Sequence, residues 1–263
     1  MSFTMNGRCA LVTGGSKGLG LAIAETFAKA GAHVAITARD PAVLEQARAR
    51  IAAVSKGKVI AVAGDIGKAA DCTRVFKAAE AGLGQIDVIV NNAGTSQRGA
   101  FESISDELWQ SDLDLKLFAA IRLSRLALPG MKARRFGRII NVLNTGAKAP
   151  PAEGAPTAVS RAAGMALTKV LAGEGAKHNV LVNGLLVGRI ESDQWVRRHS
   201  ADQAKGNNQT LETYYADMGK SLPMGRLGTA QEFANAALFL ASDAGSYITG
   251  TAINVDGGLC PVV

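Results

Sequence analysis

A glycine-rich segment near the amino terminus is the part of the sequence best suited to chemistry. It runs Thr13-Gly14-Gly15-Ser16-Lys17-Gly18-Leu19-Gly20, between a short apolar strand pattern and an apolar pattern of helical spacing. Gly14, Gly18 and Gly20 allow the backbone to turn sharply and to approach a pyrophosphate without an intervening Cβ. The amino terminus of the following helix offers free N–H groups and a partial positive charge. The segment therefore predicts a dinucleotide phosphate site within a βαβ unit.

The end of the second predicted strand indicates which dinucleotide is bound. Residues 33–37 are followed by Ala38 and Arg39, where an NAD site places a carboxylate for the ribose 2′-hydroxyl. Ala38 leaves room for a 2′-phosphate, and Arg39 supplies a counter-charge. Lys17 adds a cation beside the same site, although either cation can also be an ordinary solvated surface charge. These residues favour NADP over NAD.

Strand and helix patterns alternate along the chain and must position these residues. The predicted strands are 8–13, 33–37, 59–63, 86–90, 138–143, 180–187 and 252–255. The predicted helices include 19–29, 41–54, 107–133, 155–178 and 230–241, with a further helix between the third and fourth strands. This alternation predicts one α/β domain over residues 1–263, a doubly wound, seven-stranded parallel sheet with helices on both faces. The polar segment at about 191–222 predicts a substrate lid, with a plain surface excursion as the alternative.

Composition excludes several classes of protein. The chain has 263 residues, of which 48% are hydrophobic and 19% charged, which indicates a folded core rather than disorder. Cys9, Cys72 and Cys260 have neither disulfide-framework nor metal-ligand spacing, so reduced thiols and no metal site are expected. No leader-like segment and no apolar run of about 20 residues is present, which predicts a cytoplasmic protein without membrane spans.

The charge balance is basic, with a formal net charge of +7. A nucleic-acid partner is not expected, because the basic residues are scattered, with only short clusters at Arg134-Arg135 and Arg197-Arg198, and few aromatic residues lie among them. A positive field that attracts a phosphorylated cofactor or an anionic substrate is the favoured interpretation.

Further motifs follow the glycine segment in order. Asp65 comes after the third strand, Asn91-Asn92-Ala93-Gly94 after the fourth, and Tyr247-Ile248-Thr249-Gly250 and Val255-Asp256-Gly257-Gly258 lie near the end. With the TGxxxGxG spacing, they resemble the short-chain dehydrogenase/reductase family over essentially the whole chain. The resemblance implies a Rossmann-type fold, hydride transfer between a nicotinamide cofactor and a small carbonyl or alcohol substrate, and a homotetramer or homodimer.

The resemblance also implies which residues contact the cofactor. They are Gly14, Ser16, Lys17, Gly18, Leu19, Gly20, Arg39, Asp65, Ile66, Asn92, Ala93, Gly94, Arg161, Gly188, Ile190 and Ser192.

The four catalytic positions of the family are occupied by unusual residues here. Members of the family use Asn, Ser, Tyr and Lys, and counting from the flanking motifs places Lys116, Asn144, Thr157 and Arg161 at these positions. The Thr157 hydroxyl is too weak an acid to replace tyrosine. Arg161 can bind the cofactor but stays protonated, and Asn144 can orient a carbonyl group. Thr145 is an alternative substitute for the serine hydroxyl.

Lys116 is the main candidate for the proton donor that replaces tyrosine. If its amine reaches the same pocket as Arg161, repulsion between the cations and partial burial lower its pKa towards neutrality. Lys116 is then expected to matter more for turnover than Thr157. The alternatives are a solvated lysine or an ion-pair partner of Asp112 or Asp114.

Other proton donors and other functions stay open. Tyr214, Tyr215, His199 and Glu153 carry groups that closure of the lid can bring to the site. Besides an oxidoreductase with a non-standard proton donor, the sequence is compatible with a catalytically silent NADP-binding protein. It is also compatible with a non-redox enzyme on the same fold. The identity of the substrate is not encoded in a diagnostic motif.

Overall fold

The computed structural model describes residues 3–204 and 208–263. Seven parallel strands form one sheet in the order β3-β2-β1-β4-β5-β6-β7. The strands are β1 (Cys9–Thr13), β2 (His33–Ala38), β3 (Val59–Ala63), β4 (Val88–Asn91), β5 (Gly137–Asn144), β6 (Val180–Val187) and β7 (Ala252–Val255). The predicted doubly wound, seven-stranded parallel sheet is confirmed. The order of the strands reverses between β1 and β4, which is where such sheets bind ligands.

Helices connect the strands and cover both faces of the sheet. They are α1 (Gly18–Lys29), α2 (Pro41–Ala52), α3 (Ala69–Leu83), α4 (Asp106–Leu113), α5 (Ala119–Arg134), α6 (Thr157–Gly175), α7 (Asp193–Gln203), α8 (Leu211–Gly219) and α9 (Ala230–Ala241). Alternate residues of the buried strands point to opposite faces. Val12 and Ile36 belong to the apolar cluster of α1 and α9, whereas Leu11 and Ile89 belong to that of α3 and α5.

The predicted helix over residues 107–133 is interrupted. Between α4 and α5 the chain forms a π-helical turn at Asp114–Phe118, which contains Lys116. A π-helical turn admits one extra residue and changes the direction of the side chains that follow it. The interruption was not predicted, because one extra residue barely alters the apolar periodicity. Lys116 is buried, with only 6% of the residue exposed.

The predicted lid segment lies outside the sheet. It contains α7 and α8, which contact each other, and the backbone of Ile190 forms an isolated bridge with Gly228 beyond the segment. Its role as a lid stays a prediction. None of the described helices is long and apolar enough to cross a membrane.

Candidate functional site

A large cleft opens at the carboxyl ends of the strands. Its volume is about 1330 Å³, and its walls come from the loops after β1 to β6, from α7 and from the carboxyl-terminal segment. The cleft therefore covers the point where the strand order reverses between β1 and β4. The carboxyl-terminal residues Leu259, Cys260 and Pro261 also line it.

The glycine segment is held tightly against the end of β4. Gly14 has a φ of +64°, and a Cβ there would lie 3.0 Å from the Ala93 Cα and from the Asn92 Nδ2. A Cβ on Gly20 would collide with the Gly14 carbonyl oxygen. The Asn92 Nδ2 donates to the Thr13 carbonyl oxygen at 2.9 Å, and the Thr13 hydroxyl accepts from the amides of Asn92 and Ala93, each at 3.0 Å. The backbone is thus fixed with its amino-terminal helix end facing the cleft.

The residues after β2 fit a 2′-phosphate. Lys17 and Arg39 are exposed on the cleft wall, and within the described ranges neither forms an ion pair. Asp40 is the nearest carboxylate in sequence, but its Oδ1 caps α2 by accepting from the amides of Ala42 at 2.9 Å and Val43 at 3.1 Å. Asp40 is thus engaged in capping α2, and the contact of Arg39 with the ribose stays a prediction. The site suits NADP better than NAD.

Nearly all predicted cofactor residues line the cleft, and their contacts with a bound cofactor stay a prediction. The lining residues among them are Gly14, Ser16, Lys17, Gly18, Leu19, Arg39, Asp65, Ile66, Asn92, Ala93, Gly94, Arg161, Gly188, Ile190 and Ser192. Gly20 is buried beneath the glycine segment.

Three of the four predicted catalytic residues also lie on the cleft wall. These are Asn144, Thr157 and Arg161. The Arg161 Nη1 donates to the Val142 carbonyl oxygen at 2.7 Å, which fixes the guanidinium at the end of β5. The Oδ1 of Asn144 is buried and has no hydrogen-bond partner in the described structure, so it is available to a bound ligand.

Lys116 lies one layer behind this wall. Its Nζ donates to the carboxylate of Asp112, one helical turn earlier, and to the Thr157 Oγ1 at 2.7 Å. The side chains of Lys116 and Asp112 are 1% and 0% exposed. The interpretation of Lys116 as a solvated lysine is therefore wrong, and its pairing with Asp112 is confirmed. Asp114 instead pairs with Arg122, at 2.8 Å.

The pKa of Lys116 is lowered from its ordinary value of 10.5 to about 8. Burial is the largest cause, and the Arg161 cation lowers the pKa further, whereas the hydrogen bond and the charge of Asp112 raise it. Burial also lowers the pKa of Arg161, to about 10. Lys116 thus has the acidity of a group that can give up a proton near physiological pH.

The Thr157 hydroxyl separates Lys116 from the cleft. Its Oγ1 accepts from the Lys116 Nζ at 2.7 Å and from the Gln97 amide at 2.9 Å. A hydroxyl oxygen has two acceptor lone pairs, so with both in use the O–H can only donate. The nearest described acceptor is the Asp112 Oδ1, at a long 3.4 Å. The hydroxyl thus has one long hydrogen bond to donate, on a residue that lines the cleft.

The sequence analysis did not identify Gln97 and Ser160 as members of this cluster. It named Asp112 only as an alternative ion-pair partner of Lys116. The Ser160 Oγ donates to the Asp112 Oδ2 at 2.7 Å. Asp112 precedes Lys116 by four residues, and this spacing alone could have signalled the pair. The Gln97 contact uses a backbone amide and leaves no signal in the sequence.

A second, smaller cavity of about 340 Å³ borders the cluster from another side. Gln97, Ser111, Asp112 and Asp114 are among its lining residues, together with Arg39 and Asp65, which also line the main cleft. Asp112 is thus among the residues that border this cavity, although its carboxylate is bonded within the cluster to Lys116 and Ser160.

The alternative proton donors lie elsewhere in the described part of the chain. His199 is buried, with its Nε2 2.7 Å from the Gln209 carbonyl oxygen and its ring centroid 5.3 Å from that of Tyr214. Among the described residues that line the main cleft, His199, Tyr214, Tyr215 and Glu153 are not found. Of these candidate groups and Thr157, Thr157 is the one that lines the cleft in the described structure.

Comparison with known proteins shows the same architecture. A family model described as enoyl-(acyl carrier protein) reductase matches residues 14–260. The 3-oxoacyl-[acyl-carrier-protein] reductase FabG of Escherichia coli (strain K12) is 35% identical over 253 residues, which cover 96% of this chain and 97% of the relative.

Two solved structures are similar over almost the whole chain. The L-sorbose reductase of Gluconobacter frateurii, complexed with NADPH and L-sorbose, has a TM-score of 0.95 and 34% identity, with 100% of both chains covered. A short-chain oxidoreductase of Pseudomonas aeruginosa PAO1, with NADPH bound and an atypical catalytic centre, has a TM-score of 0.89 and 36% identity, covering 99% of this chain and 100% of the other. The prediction of NADP as the cofactor is confirmed by these NADPH-bound neighbours.

The glycine cradle, the cleft at the reversal of strand order and a relative that is 35% identical over nearly its full length agree with one another. The chain belongs to the short-chain dehydrogenase/reductase family of oxidoreductases.

Proposed function

We propose that the protein is an NADP(H)-dependent reductase of a small carbonyl substrate and that Lys116 supplies the proton through the Thr157 hydroxyl. One observation carries the proposal. The Lys116 Nζ lies 2.7 Å from the Oγ1 of Thr157, and Thr157 lines the main cleft. In this arrangement four substituted residues replace the usual Asn, Ser, Tyr and Lys of the family.

The cleft residues would hold and orient the cofactor. The glycine segment receives the pyrophosphate, Arg39 the 2′-phosphate and Arg161 the nicotinamide end. NADPH supplies a hydride to the carbonyl carbon when bound. Asn144 lines the same cleft, and its unpartnered Oδ1 can accept a hydrogen bond from a donor group of the ligand.

The proton reaches the carbonyl oxygen in two linked transfers. Thr157 donates its hydroxyl proton to the oxygen as negative charge develops there, and its Oγ1 takes a proton from the Lys116 ammonium at the same time. Threonine is then never required to exist as a free alkoxide, which removes the objection that its hydroxyl is a weak acid. Lys116 is left neutral, a form that its burial favours.

Asp112 would provide the return path. Its carboxylate contacts the Lys116 Nζ, and Asp112 is among the residues that border the second cavity. We propose that a proton from water in that cavity returns to Lys116 through Asp112.

The direct test is the absorbance of reduced nicotinamide during incubation with a panel of ketones and aldehydes. We expect NADPH to be consumed in stoichiometric amounts with the alcohol formed. NADPH binding without consumption of any member of a broad panel would identify a silent binding protein instead.

The rate of carbonyl reduction is expected to fall above about pH 8. Lys116 must carry its proton to act, and its pKa is lowered from 10.5 to about 8. Above that pKa, kcat should fall about tenfold for each pH unit. Oxidation of the alcohol needs the neutral amine, so its rate should rise over the same range. A flat profile for reduction between pH 7 and 10 would contradict the role of Lys116.

NADPH is expected to bind more tightly than NADH. Loss of the Arg39 contact should cost about 1–3 kcal/mol of NADPH affinity, the range of a charge-assisted hydrogen bond, and leave NADH binding almost unchanged. Calorimetric titration of both cofactors into the wild type and Arg39→Ala measures this. Arg48→Ala is the control, because Arg48 is paired with Glu45 on the surface of α2. Equal affinity of the wild type for NADPH and NADH would contradict the proposed preference for NADPH.

The protein is expected to form a homotetramer or homodimer. Val159 and Val170 on α6 are 50% and 58% exposed, and Phe118 at the start of α5 is 38% exposed. These apolar side chains suit an isologous contact between two copies. Light scattering at micromolar concentration should give a multiple of the chain mass, and Val170→Asp should lower it. A monomeric wild type would contradict this expectation.

A further inference from the structure

Arginine side chains line the catalytic half of the main cleft. They are Arg98, in the loop after β4, Arg189, after β6, and Arg197 and Arg198 on α7. Of the described residues on the cleft wall, the acidic ones are Asp40 and Asp65, which follow β2 and β3 at the other side of the sheet. The half of the cleft that contains Thr157 is therefore strongly positive.

In the described structure, none of these arginines is paired with a carboxylate. Arg189 donates to the Ser221 Oγ at 2.7 Å, and the Arg198 guanidinium lies 4.8 Å from the centre of the Trp195 ring. For Arg98 and Arg197, the described part of the chain contains no ion-pair partner and no side-chain hydrogen bond. Guanidinium groups that converge on a cleft without carboxylates raise its potential, and the low-dielectric walls concentrate the field.

Arg98 is tied to the reaction centre by the chain itself. It follows Gln97, whose amide donates to the Thr157 Oγ1 at 2.9 Å, and its backbone bridges to Pro156, the residue before Thr157. A substrate whose carbonyl oxygen meets the Thr157 hydroxyl thus lies beside this arginine. The α7 arginines come from a different wall of the same half.

We infer that the substrate is an anionic carbonyl compound, with a carboxylate or phosphate held by Arg98 and Arg197 while its carbonyl oxygen meets Thr157; this inference rests on the proposed reductase function. The planar guanidinium fork matches both kinds of oxyanion. The partly buried Arg161 adds positive charge to the same half of the cleft, whereas the charge of Lys116 is balanced by Asp112. The arginines therefore decide which carbonyl compounds enter.

The test compares anionic substrates with matched neutral ones. The pairs are 4-oxopentanoate with its methyl ester, and dihydroxyacetone phosphate with dihydroxyacetone; the two pairs distinguish a carboxylate from a phosphate. We expect kcat/KM for the anionic member of at least one pair to exceed that of the neutral member about 10-fold to 100-fold. Arg98→Gln and Arg197→Gln should each raise KM for that anion by a similar factor and change kcat less than about twofold. The KM of the neutral member should change much less than that of the anion in both variants.

Arg48→Gln is the control, since it removes the same charge from a surface ion pair on α2 and should leave all constants unchanged. Equal kcat/KM within both pairs would overturn the inference and leave the reductase proposal standing. A weakened affinity for NADPH in the two variants, without a change in KM for the anions, would assign these arginines to the cofactor and also overturn it.

Anion binding can be measured apart from turnover. If no member of either pair is reduced, calorimetric titration of 4-oxopentanoate and dihydroxyacetone phosphate into the NADPH complex tests whether the cleft binds anions. Binding that weakens in Arg98→Gln supports the anion site, and the reductase proposal is then decided by the broad panel of ketones and aldehydes. No binding of either anion in that titration overturns the inference and leaves the reductase proposal to that panel.

Discussion

Replacement of Lys116 by methionine is expected to lower the turnover of carbonyl reduction about 10²–10⁴-fold, the contribution of general acid catalysis. Methionine fills a similar volume, yet it supplies no proton to the Thr157 Oγ1, which lies 2.7 Å from the Lys116 Nζ. The affinity for NADPH should stay nearly unchanged, because Lys116 lies behind the cleft wall. Steady-state kinetics together with calorimetric titration of NADPH measure both quantities.

Variants of Thr157 distinguish a proton relay through its hydroxyl from a direct transfer from Lys116 to the substrate. Thr157→Ser keeps the hydroxyl and should retain most of the turnover, whereas Thr157→Val removes the hydroxyl and should cost about as much as Lys116→Met. The sequence alone predicted a mild effect for Thr157→Val, because it could not show that this hydroxyl lies between Lys116 and the cleft. Lys77→Met removes an exposed lysine of α3 and serves as the charge control. Full turnover in Lys116→Met would shift the assignment to another donor.

The fold was largely predictable because its signals are local. The buried strands appear as short apolar runs, and the glycine segment marks the connection between β1 and α1. Parallel pairing and right-handed crossovers then leave few arrangements. The π-helical turn at Asp114–Phe118 escaped prediction, since one extra residue barely alters the apolar periodicity.

The sequence predicted which residues lie at the site, but not the hydrogen bonds between them. Counting from the motifs places Asn144, Thr157 and Arg161 on the cleft wall, as expected, and the lowered pKa of Lys116 agrees in direction with the prediction. The bond from the Gln97 amide to Thr157 depends on the path of the backbone after β4. That bond and the burial of Asp112 orient the Thr157 hydroxyl in the proposed relay, and neither is visible in residue types.

Asp112 is expected to contribute most to stability among the residues of the cluster. Its carboxylate is 0% exposed, is bonded to the Lys116 Nζ and accepts from the Ser160 Oγ at 2.7 Å. Asp112→Asn leaves the Lys116 ammonium buried without a counter-charge, which should lower the free energy of unfolding by about 3–5 kcal/mol at pH 7. Denaturant titration measures the loss. Asp114→Asn is the matched control, because the pair of Asp114 with Arg122 is partly exposed, and it should lose about 1 kcal/mol or less.

The double variant Asp112→Asn/Lys116→Met tests whether the charge pair causes this loss. With the cation also removed, no buried charge remains unpaired, so the double variant should be more stable than Asp112→Asn alone. The pH dependence gives a second, independent readout. Because Asp112 raises the pKa of Lys116, its loss should lower that pKa below 8 and shift the alkaline fall of the reduction rate to lower pH. Strictly additive losses in the double variant, together with an unshifted profile in Asp112→Asn, would mean that the Asp112 carboxylate neither stabilises the Lys116 ammonium nor sets its acidity.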